Sequence, residues 1–423
     1  MRAIAGPLIV VLIIMIAIDC YIVNDLRCYV SKKRRKAAMI GYGIFSLLCW
    51  ALLIVTLTYP IRDNGRELST IMWMLYASIS LFVPKVIYAV FSLIGRLVNV
   101  LMKEHRKNTN YFALAGAPLG LLAFIFIWWG ALFTRNEIEV TQEVIESDRI
   151  PASFNGFKIV QFSDAHVGTW GNDTTFIAEV VRRINSMNPD MIVFTGDIVS
   201  RETSEMQPFL KTLSGLHAPY GVYSVLGNHD YGDYITWKYP SEREANNALM
   251  AAWQKQIGWT LLNNEHRFIT NGNDSIVLIG VENWGEPPFK QYGRLTDAYP
   301  LNADSVYHLN DNRYKILLSH NPEHWNREVS KISNIDLTLS GHTHAMQMLF
   351  KLGKWQWTPS QYIYEQWGGL YERMTKDNTP SRVYVNIGIG EVAIPSRMGA
   401  AYPELTEIIL RHKKSDTTGS ENK

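Results

Sequence analysis

Apolar and polar positions divide this chain into two unlike halves. Up to about residue 134 apolar positions dominate, in four runs at 3–23, 37–59, 71–94 and 111–133. A helix needs about 20 such residues to cross a bilayer, so each run predicts a membrane span. Beyond residue 134 the runs shorten to strand length. The segment 157–162 (FKIVQF) reads as a strand, 173–187 as an amphipathic helix with Asp173 as its N-cap, and 191–194 as a second strand, with Asn188-Pro189 marking the turn between them. Further strands are expected at 222–226, 276–280, 315–318, 335–339, 382–386 and 406–410, and a helix at 241–256. Strands and helices alternate early and strands prevail later. That order predicts an α/β (α+β) domain of two packed sheets flanked by helices rather than one doubly wound sheet. The expected organisation is a membrane region at 1–134, a linker at 135–155, a globular domain at 156–412 and a polar disordered tail at 413–423.

Charge orients the membrane half. The first link between runs carries Arg27, Lys32, Lys33, Arg34, Arg35 and Lys36 against Asp25, and the third carries Arg96, Lys103, Arg106 and Lys107 against Glu104. The second balances Arg62 and Arg66 with Asp63 and Glu67. By the positive-inside rule the first and third links are cytoplasmic and both termini lie outside, which makes the globular domain extracytoplasmic. The first run makes a poor signal peptide, because its basic leader is minimal and Asp19 stands where a small residue should precede cleavage. Lys85, next to Pro84, is expected to snorkel to the inner headgroups, and Asp19 to be interfacial. A formal net charge of +2, with no basic stripe interleaved with aromatics, gives no reason to expect a nucleic-acid partner. Cys20, Cys28 and Cys49 all lie in the membrane half, so the globular half has neither a disulfide framework nor thiolate metal ligands.

The chemistry is concentrated in five short blocks, each directly after an apolar strand-like run: Ser163-Asp164-Ala165-His166, Gly196-Asp197, Gly227-Asn228-His229-Asp230, Ser319-His320 and Gly341-His342-Thr343-His344. Hydrolysing a phosphoester near neutral pH needs a strong nucleophile and neutralisation of charge on the phosphoryl oxygens. Two divalent ions about 4 Å apart provide both, by lowering the pKa of a shared water and clamping the phosphate. Asp-x-His offers an oxygen and an imidazole from alternate positions of an extended segment, so both can face one cavity, and Gly-His-Thr-His repeats that spacing. Asp197 follows a glycine that lets the backbone turn close to the ions, which makes it the natural bridging carboxylate. Asn228 supplies a neutral oxygen, and His320, His342 and His344 complete the set. A lone Gly-Asp or a lone histidine is usually a turn or a satisfied polar group; the joint occurrence of five blocks in this order outweighs that reading. The remaining histidines, with His324 nearest in sequence to the set, read as ordinary.

These blocks resemble the calcineurin-like metallophosphoesterase superfamily over roughly residues 157–411. The ending YVNIGIG at 384–390, followed by Pro395, Arg397 and Pro403-Glu404, is similar to the membrane-associated bacterial branch of that superfamily. The resemblance implies a four-layer αββα sandwich and a metal-dependent phosphoric ester hydrolase. It implies two divalent metal ions, with Mn²⁺ first and Fe or Zn²⁺ as alternatives. Carried over position by position, Asp164, His166, Asp197 and His344 would hold one ion and Asp197, Asn228, His320 and His342 the other. His229 would be the general acid towards the leaving oxygen, and the attacking group a hydroxide bridging the ions. Two departures stand out. Many members have an acidic residue three positions after the bridging aspartate, where it orients the catalytic histidine; here that position is Ser200, with Asp230 or a water as the substitute. Ala345-Met346 stand where the bacterial branch often has two glycines, which implies a changed rim.

The expected function is a membrane-anchored phosphodiesterase whose partners are the lipid bilayer and a phosphoester substrate. An aromatic stretch after His344 (Phe350, Trp355, Trp357, Tyr362, Tyr364, Trp367 and Tyr371) suits a lipid-linked substrate, and ordinary packing is an equal reading of the same rings. One alternative is a pyrophosphohydrolase of a nucleotide-linked lipid A precursor (UDP-diacylglucosamine type), whose substrate is cytoplasmic. Another is a membrane sensor or transporter subunit with a non-catalytic phosphoesterase-like domain, against which a full ligand set plus His229 argues.

Overall fold

A computed structural model describes residues 2–59, 65–102, 110–299, 312–331 and 334–413. Two compact units emerge, one covering most of residues 2–132 and the other nearly all of 133–413. The first consists of α1 (Arg2–Tyr29), α2 (Lys32–Thr58), α3 (Gly65–Leu101) and α4 (Tyr111–Leu132). All four are long and apolar enough to cross a membrane. Large apolar side chains such as Leu47, Leu48, Leu121 and Leu122 point outward, as expected where lipid is the solvent.

Polar groups of this unit turn inward instead. Lys85 on α3 is buried and lies 3.0 Å from Asp19 on α1, which also accepts hydrogen bonds from Ser46 (2.8 Å), Trp50 (2.7 Å) and Tyr42. The expectation that Lys85 snorkels is thus corrected. A carboxylate on the facing helix satisfies the ammonium within the bundle, so the charge has no need to reach the headgroups. Asp25 pairs in the same way with Arg96, which belongs to α3 rather than to the third link. Lys103, Arg106 and Lys107 of that link, Arg62 and Asp63 of the second, and the tail at 414–423 lie outside the described residues.

The second unit is built on strands β1 (Glu139–Ser147), β2 (Lys158–Phe162), β3 (Met191–Phe194), β4 (Val222–Ser224) and β5 (Trp259–Leu261). They are followed by β6 (Glu265–Asn271), β7 (Asp274–Gly280), β8 (Lys315–Leu318), β9 (Leu337–Ser340) and β10 (Met348–Leu352). The last are β11 (Trp355–Trp357), β12 (Gly369–Met374), β13 (Pro380–Val385), β14 (Met398–Gly399) and β15 (Glu404–His412). One six-stranded sheet has the order β1-β15-β2-β3-β4-β5 and the other β12-β13-β9-β8-β7-β6, with β11-β10-β14 as a small third. Where a linker is expected at 135–155, Glu139–Ser147 is an edge strand paired in parallel with β15. Its three glutamates disguise it, since only Ile145 is buried, and its partner lies at the other end of the domain sequence.

Period-two alternation builds the layers. Ile159, Met191 and Val193 from the first sheet meet Ile276, Leu278, Ile316, Leu318, Leu337 and Leu339 from the second in one buried cluster. The intervening residues Val160, Phe162, Ile192 and Phe194 face the other way, onto Ile177, Val180 and Ile184 of helix Thr175–Ser186 and Met250 of helix Pro240–Gln256. Val277, Ile279 and Leu317 cover the outer face of the second sheet with Trp325 of helix Glu323–Arg327. The layers therefore run helix, sheet, sheet, helix. Each fully buried aliphatic or aromatic side chain contributes about 1.5–3 kcal/mol, and a one-residue slip of any inner strand would forfeit the whole set.

Candidate metal centre

Strands β2, β3 and β4 run parallel in one sheet, as do β7, β8, β9 and β13 in the other. All five sequence blocks sit in loops at their carboxyl ends. Asp164 and His166 follow β2, Asp197 follows β3, Asn228 and His229 follow β4, His320 follows β8, and His342 and His344 follow β9. These loops are not extended, contrary to the alternation argument. Asp164, His166, Asp197, His342 and His344 all have left-handed φ, between 40° and 77°. Such strain in non-glycine residues concentrates at functional sites, where surrounding structure must enforce it. Gly196 supplies the space: a Cβ there would lie 2.8 Å from His320 Nδ1 and 2.6 Å from the Gly227 nitrogen.

The turns gather the side chains into two triads, Asp164–His166–His344 and Asp197–His320–His342, each with its ligating atoms within 4.8 Å of one another. In the first, His166 Nε2 is 3.2 Å from His344 Nε2, which is 3.3 Å from Asp164 Oδ1. In the second, His320 Nε2 lies 3.2 Å from His342 Nδ1 and 3.1 Å from Asp197 Oδ2. The same Asp197 oxygen is 3.7 Å from His166 Nε2, so this carboxylate stands between the triads. His342 and His344 thus divide between the two groups rather than sharing one side of a strand.

The donor set fits divalent cations. His320 Nδ1 lies 2.8 Å from the Thr195 carbonyl, an acceptor only, so Nδ1 carries a proton and Nε2 is the nitrogen whose lone pair can ligate. That lone pair faces the Asp197 carboxylate, a contact that repels unless a cation or a second proton lies between them. The Asn228 side-chain oxygen is buried with no hydrogen-bond partner, as expected of a neutral oxygen ligand. His342 offers Nδ1 to the site while its Nε2 lies 3.0 Å from the Tyr364 hydroxyl, an outer contact that fixes the ring. Burial opposes ionisation of both aspartates, yet His344 beside Asp164 and His320 beside Asp197 hold them well below the usual carboxylate range. Burial also disfavours an imidazolium at His320, but Asp197 outweighs it and keeps the pKa up at about 9. Burial and a neighbouring imidazole depress His342 to about 3 and His166 well below its ordinary value.

His229 lies outside both triads. Its backbone N–H donates to Asp197 Oδ1 (2.8 Å), its Nδ1 lies 2.6 Å from the Ser200 carbonyl, and its ring stacks on Tyr234 at 4.0 Å. The acceptor carbonyl fixes the proton on Nδ1 and leaves Nε2 to exchange one. Asp230 does not substitute for the missing acid at position 200. Its carboxylate accepts the N–H groups of Asp197 (2.8 Å), Ile198 (2.9 Å), Val199 (3.2 Å) and Gly227 (2.9 Å), so it ties two ligand loops together. The Ser200 backbone orients His229 instead, and its N–H is held at 2.6 Å by Glu205, whose carboxyl burial pushes up to about 7.

Sequence reasoning missed Tyr234, Glu205 and Thr195, and left Tyr364 between an apolar rim for a lipid-linked substrate and ordinary packing. Tyr234 also accepts from Asn228 Nδ2 (2.6 Å), which turns the amide oxygen towards the ligand set. None stands in a recognisable block, and Thr195 acts through a backbone carbonyl that any residue could provide. The aromatic stretch splits by role. Tyr364 meets His342, Tyr371 packs on the outer core, and Trp355 and Tyr362 are exposed.

Comparison with known proteins gives matches along most of the chain. Residues 157–346 match the family described as calcineurin-like phosphoesterase. Residues 1–135 match the one described as probable calcineurin-like phosphoesterase, transmembrane domain. A Bacillus subtilis protein, uncharacterized metallophosphoesterase YkuE, is 32% identical over 281 residues, covering 65% of this chain and 86% of that one. The Danio rerio transmembrane protein with metallophosphoesterase domain is 27% identical over 331 residues, covering 76% of this chain and 69% of its own length. The UDP-2,3-diacylglucosamine pyrophosphatase LpxG of Chlamydia muridarum is 29% identical over 275 residues, covering 56% of this chain and 80% of its own.

Proposed function

Because the chain belongs to the calcineurin-like metallophosphoesterases and carries their four-helix membrane domain, we propose that it is a membrane-anchored, two-metal phosphodiesterase. Asp164, His166, Asp197 and His344 would hold one divalent ion and Asp197, Asn228, His320 and His342 the other, with Mn²⁺ first among the candidates. When bound, such ions supply Lewis acidity and an activated water. The carrying observation is the pair at the centre, where His320 Nε2 lies 3.1 Å from Asp197 Oδ2 while the Thr195 carbonyl holds the other ring nitrogen, so that the contact needs a proton or a cation between its two partners.

The chain's own groups do the rest. The Ser200 carbonyl and Tyr234 fix the His229 ring, so that a proton on Nε2 can pass to the departing oxygen. Asp230 keeps Asp197 in place through the backbone. An extracytoplasmic catalytic domain is supported by the basic first link (27–36) against the balanced second. A second reading, pyrophosphohydrolysis of a nucleotide-linked lipid, draws support from the LpxG likeness.

The test is metal content and hydrolysis of bis(p-nitrophenyl) phosphate by the full-length protein in detergent. Wild type should hold two ions per chain and turn the diester over, and Asp197→Asn should lose both properties. Full metal content and unchanged turnover in that variant would refute the bridging role.

A further inference from the structure

A cleft of about 340 Å³ opens beside the Asp197–His320–His342 triad. Phe289 and Tyr364 join it to the triad, the first ring standing edge-on to His342 at 4.8 Å and the second reaching its Nε2 at 3.0 Å. Asn321, next to His320, forms part of the inner wall. Further out the lining carries the carboxylates Glu286, Glu323 and Glu365 and one cation, Arg327. That guanidinium is 3.0 Å from Glu323 and 3.3 Å from Glu286. Arg373 faces Glu365 at 3.7 Å, and Lys290, beyond Phe289, is 2.7 Å from Asp233. Among the described residues Arg327 and Arg373 thus stand against three carboxylates of the lining, which leaves one acid in excess, while Lys290 shares Asp233 with Arg243 at 2.9 Å.

Such a wall repels a second phosphate, whereas aromatic faces combined with carboxylates attract an ammonium group. Resting on the phosphodiesterase reading above, we infer that this cleft seats an ammonium-bearing ester group, so that the substrate is a phosphodiester of an amino alcohol. A nucleoside diphosphate joined to lipid would place its additional phosphate or sugar among the same acids. The amino-alcohol ester can come free in solution or as a lipid headgroup.

The test uses the full-length chain in detergent, loaded with Mn²⁺. p-Nitrophenyl phosphocholine is compared with p-nitrophenyl 3,3-dimethylbutyl phosphate, the uncharged isostere in which carbon replaces nitrogen. The ratio of kcat/KM should favour the ammonium by about tenfold, as for a partly desolvated cation over aromatic rings. Equal values, or preference for the isostere, overturn the inference. Glu286→Gln, whose side chain is 41% exposed and so safe for folding, should reduce the ratio about threefold, the effect of a partly exposed charge, and Glu323→Gln, whose carboxylate is buried, by at least as much. An undiminished ratio in both variants also overturns it. Hydrolysis of bis(p-nitrophenyl) phosphate separates the two levels of failure. None by the metal-loaded protein removes the phosphodiesterase reading itself, whereas turnover with a ratio of one removes only the assignment of the cleft. Glycerophosphocholine in solution and phosphatidylcholine in nanodiscs, each beside its glycerol-headgroup counterpart, identify the source of the ammonium. Absence of headgroup preference in both overturns the proposal.

Discussion

Replacing His229 by Asn tests the assignment of the general acid. The ring is held by the Ser200 carbonyl and by Tyr234, and the residue touches Asp197 only through its backbone N–H, which Asn retains. Both ions should therefore stay bound. Loss of the stack on Tyr234 costs about 1 kcal/mol of local order. Loss of the proton donor should lower kcat by about 10²–10⁴-fold for an alkyl leaving group, whose oxygen cannot depart as an anion. That range corresponds to about 3–5 kcal/mol of barrier at about 1.4 kcal/mol per factor of ten. A nitrophenolate leaves without a proton, so the same variant should be nearly as fast as wild type on a nitrophenyl ester. The assay is kcat for a matched alkyl and nitrophenyl diester, with metal content measured on the same samples. Equal losses on both substrates, or loss of an ion, would refute the role.

Three further outcomes follow from the same geometry. From sequence, Ser200→Asp is expected to be tolerated or even activating; the Ser200 amide, however, sits on the buried Glu205, and a second carboxylate beside it is predicted to destabilise the protein by about 3 kcal/mol, seen as a lower Tm, whereas an unchanged Tm would favour the sequence expectation. His324 is fully buried, 2.8 Å from Ser319 Oγ, and burial depresses its pKa to about 3. The unfolded chain takes up that proton near pH 6.5 and the folded one does not, so stability present above pH 6.5 is lost as pH falls, by about 2 kcal/mol at pH 5. His324→Gln should remove this component, so that wild-type and variant Tm curves converge between pH 7 and 5; parallel curves would be inconsistent with a neutral buried ring. For topology, Lys354→Cys, at an exposed position between β10 and β11 and in a background lacking Cys20 and Cys28, should react with an impermeant maleimide in intact spheroplasts. Labelling only after lysis would place the domain in the cytoplasm.

Much of this architecture is legible in the sequence where the determinants are local. The apolar runs locate the four membrane helices, and 191–194 and 315–318 coincide with β3 and β8 because runs of three or four apolar residues buried on both faces have few other solutions. What stays hidden depends on partners distant in sequence. Strand β1 exists because β15 offers it an edge, and its own residues resemble a charged linker. Lys85 is indistinguishable from a snorkelling lysine until Asp19 is known to face it. The five blocks announce a ligand set, but the left-handed turns that send His342 and His344 to different triads leave no trace in spacing. Asp230 is legible as an acid and not as the acceptor of four amides.

One property of the layout bears on how such a protein is assembled and inherited. The loops of the first sheet furnish Asp164, His166, Asp197 and Asn228, and those of the second furnish His320, His342 and His344. Under the proposed assignment each ion draws on both sheets, so neither half of the sandwich can recruit metal alone. The ions then act as inspectors of assembly, since a chain whose sheets dock out of alignment presents two partial ligand sets and captures nothing. Variation in the interleaved core is screened by the same device. A drift of that interface which folding alone would forgive is exposed as lost metal, which couples the tolerance of the scaffold to the chemistry it carries.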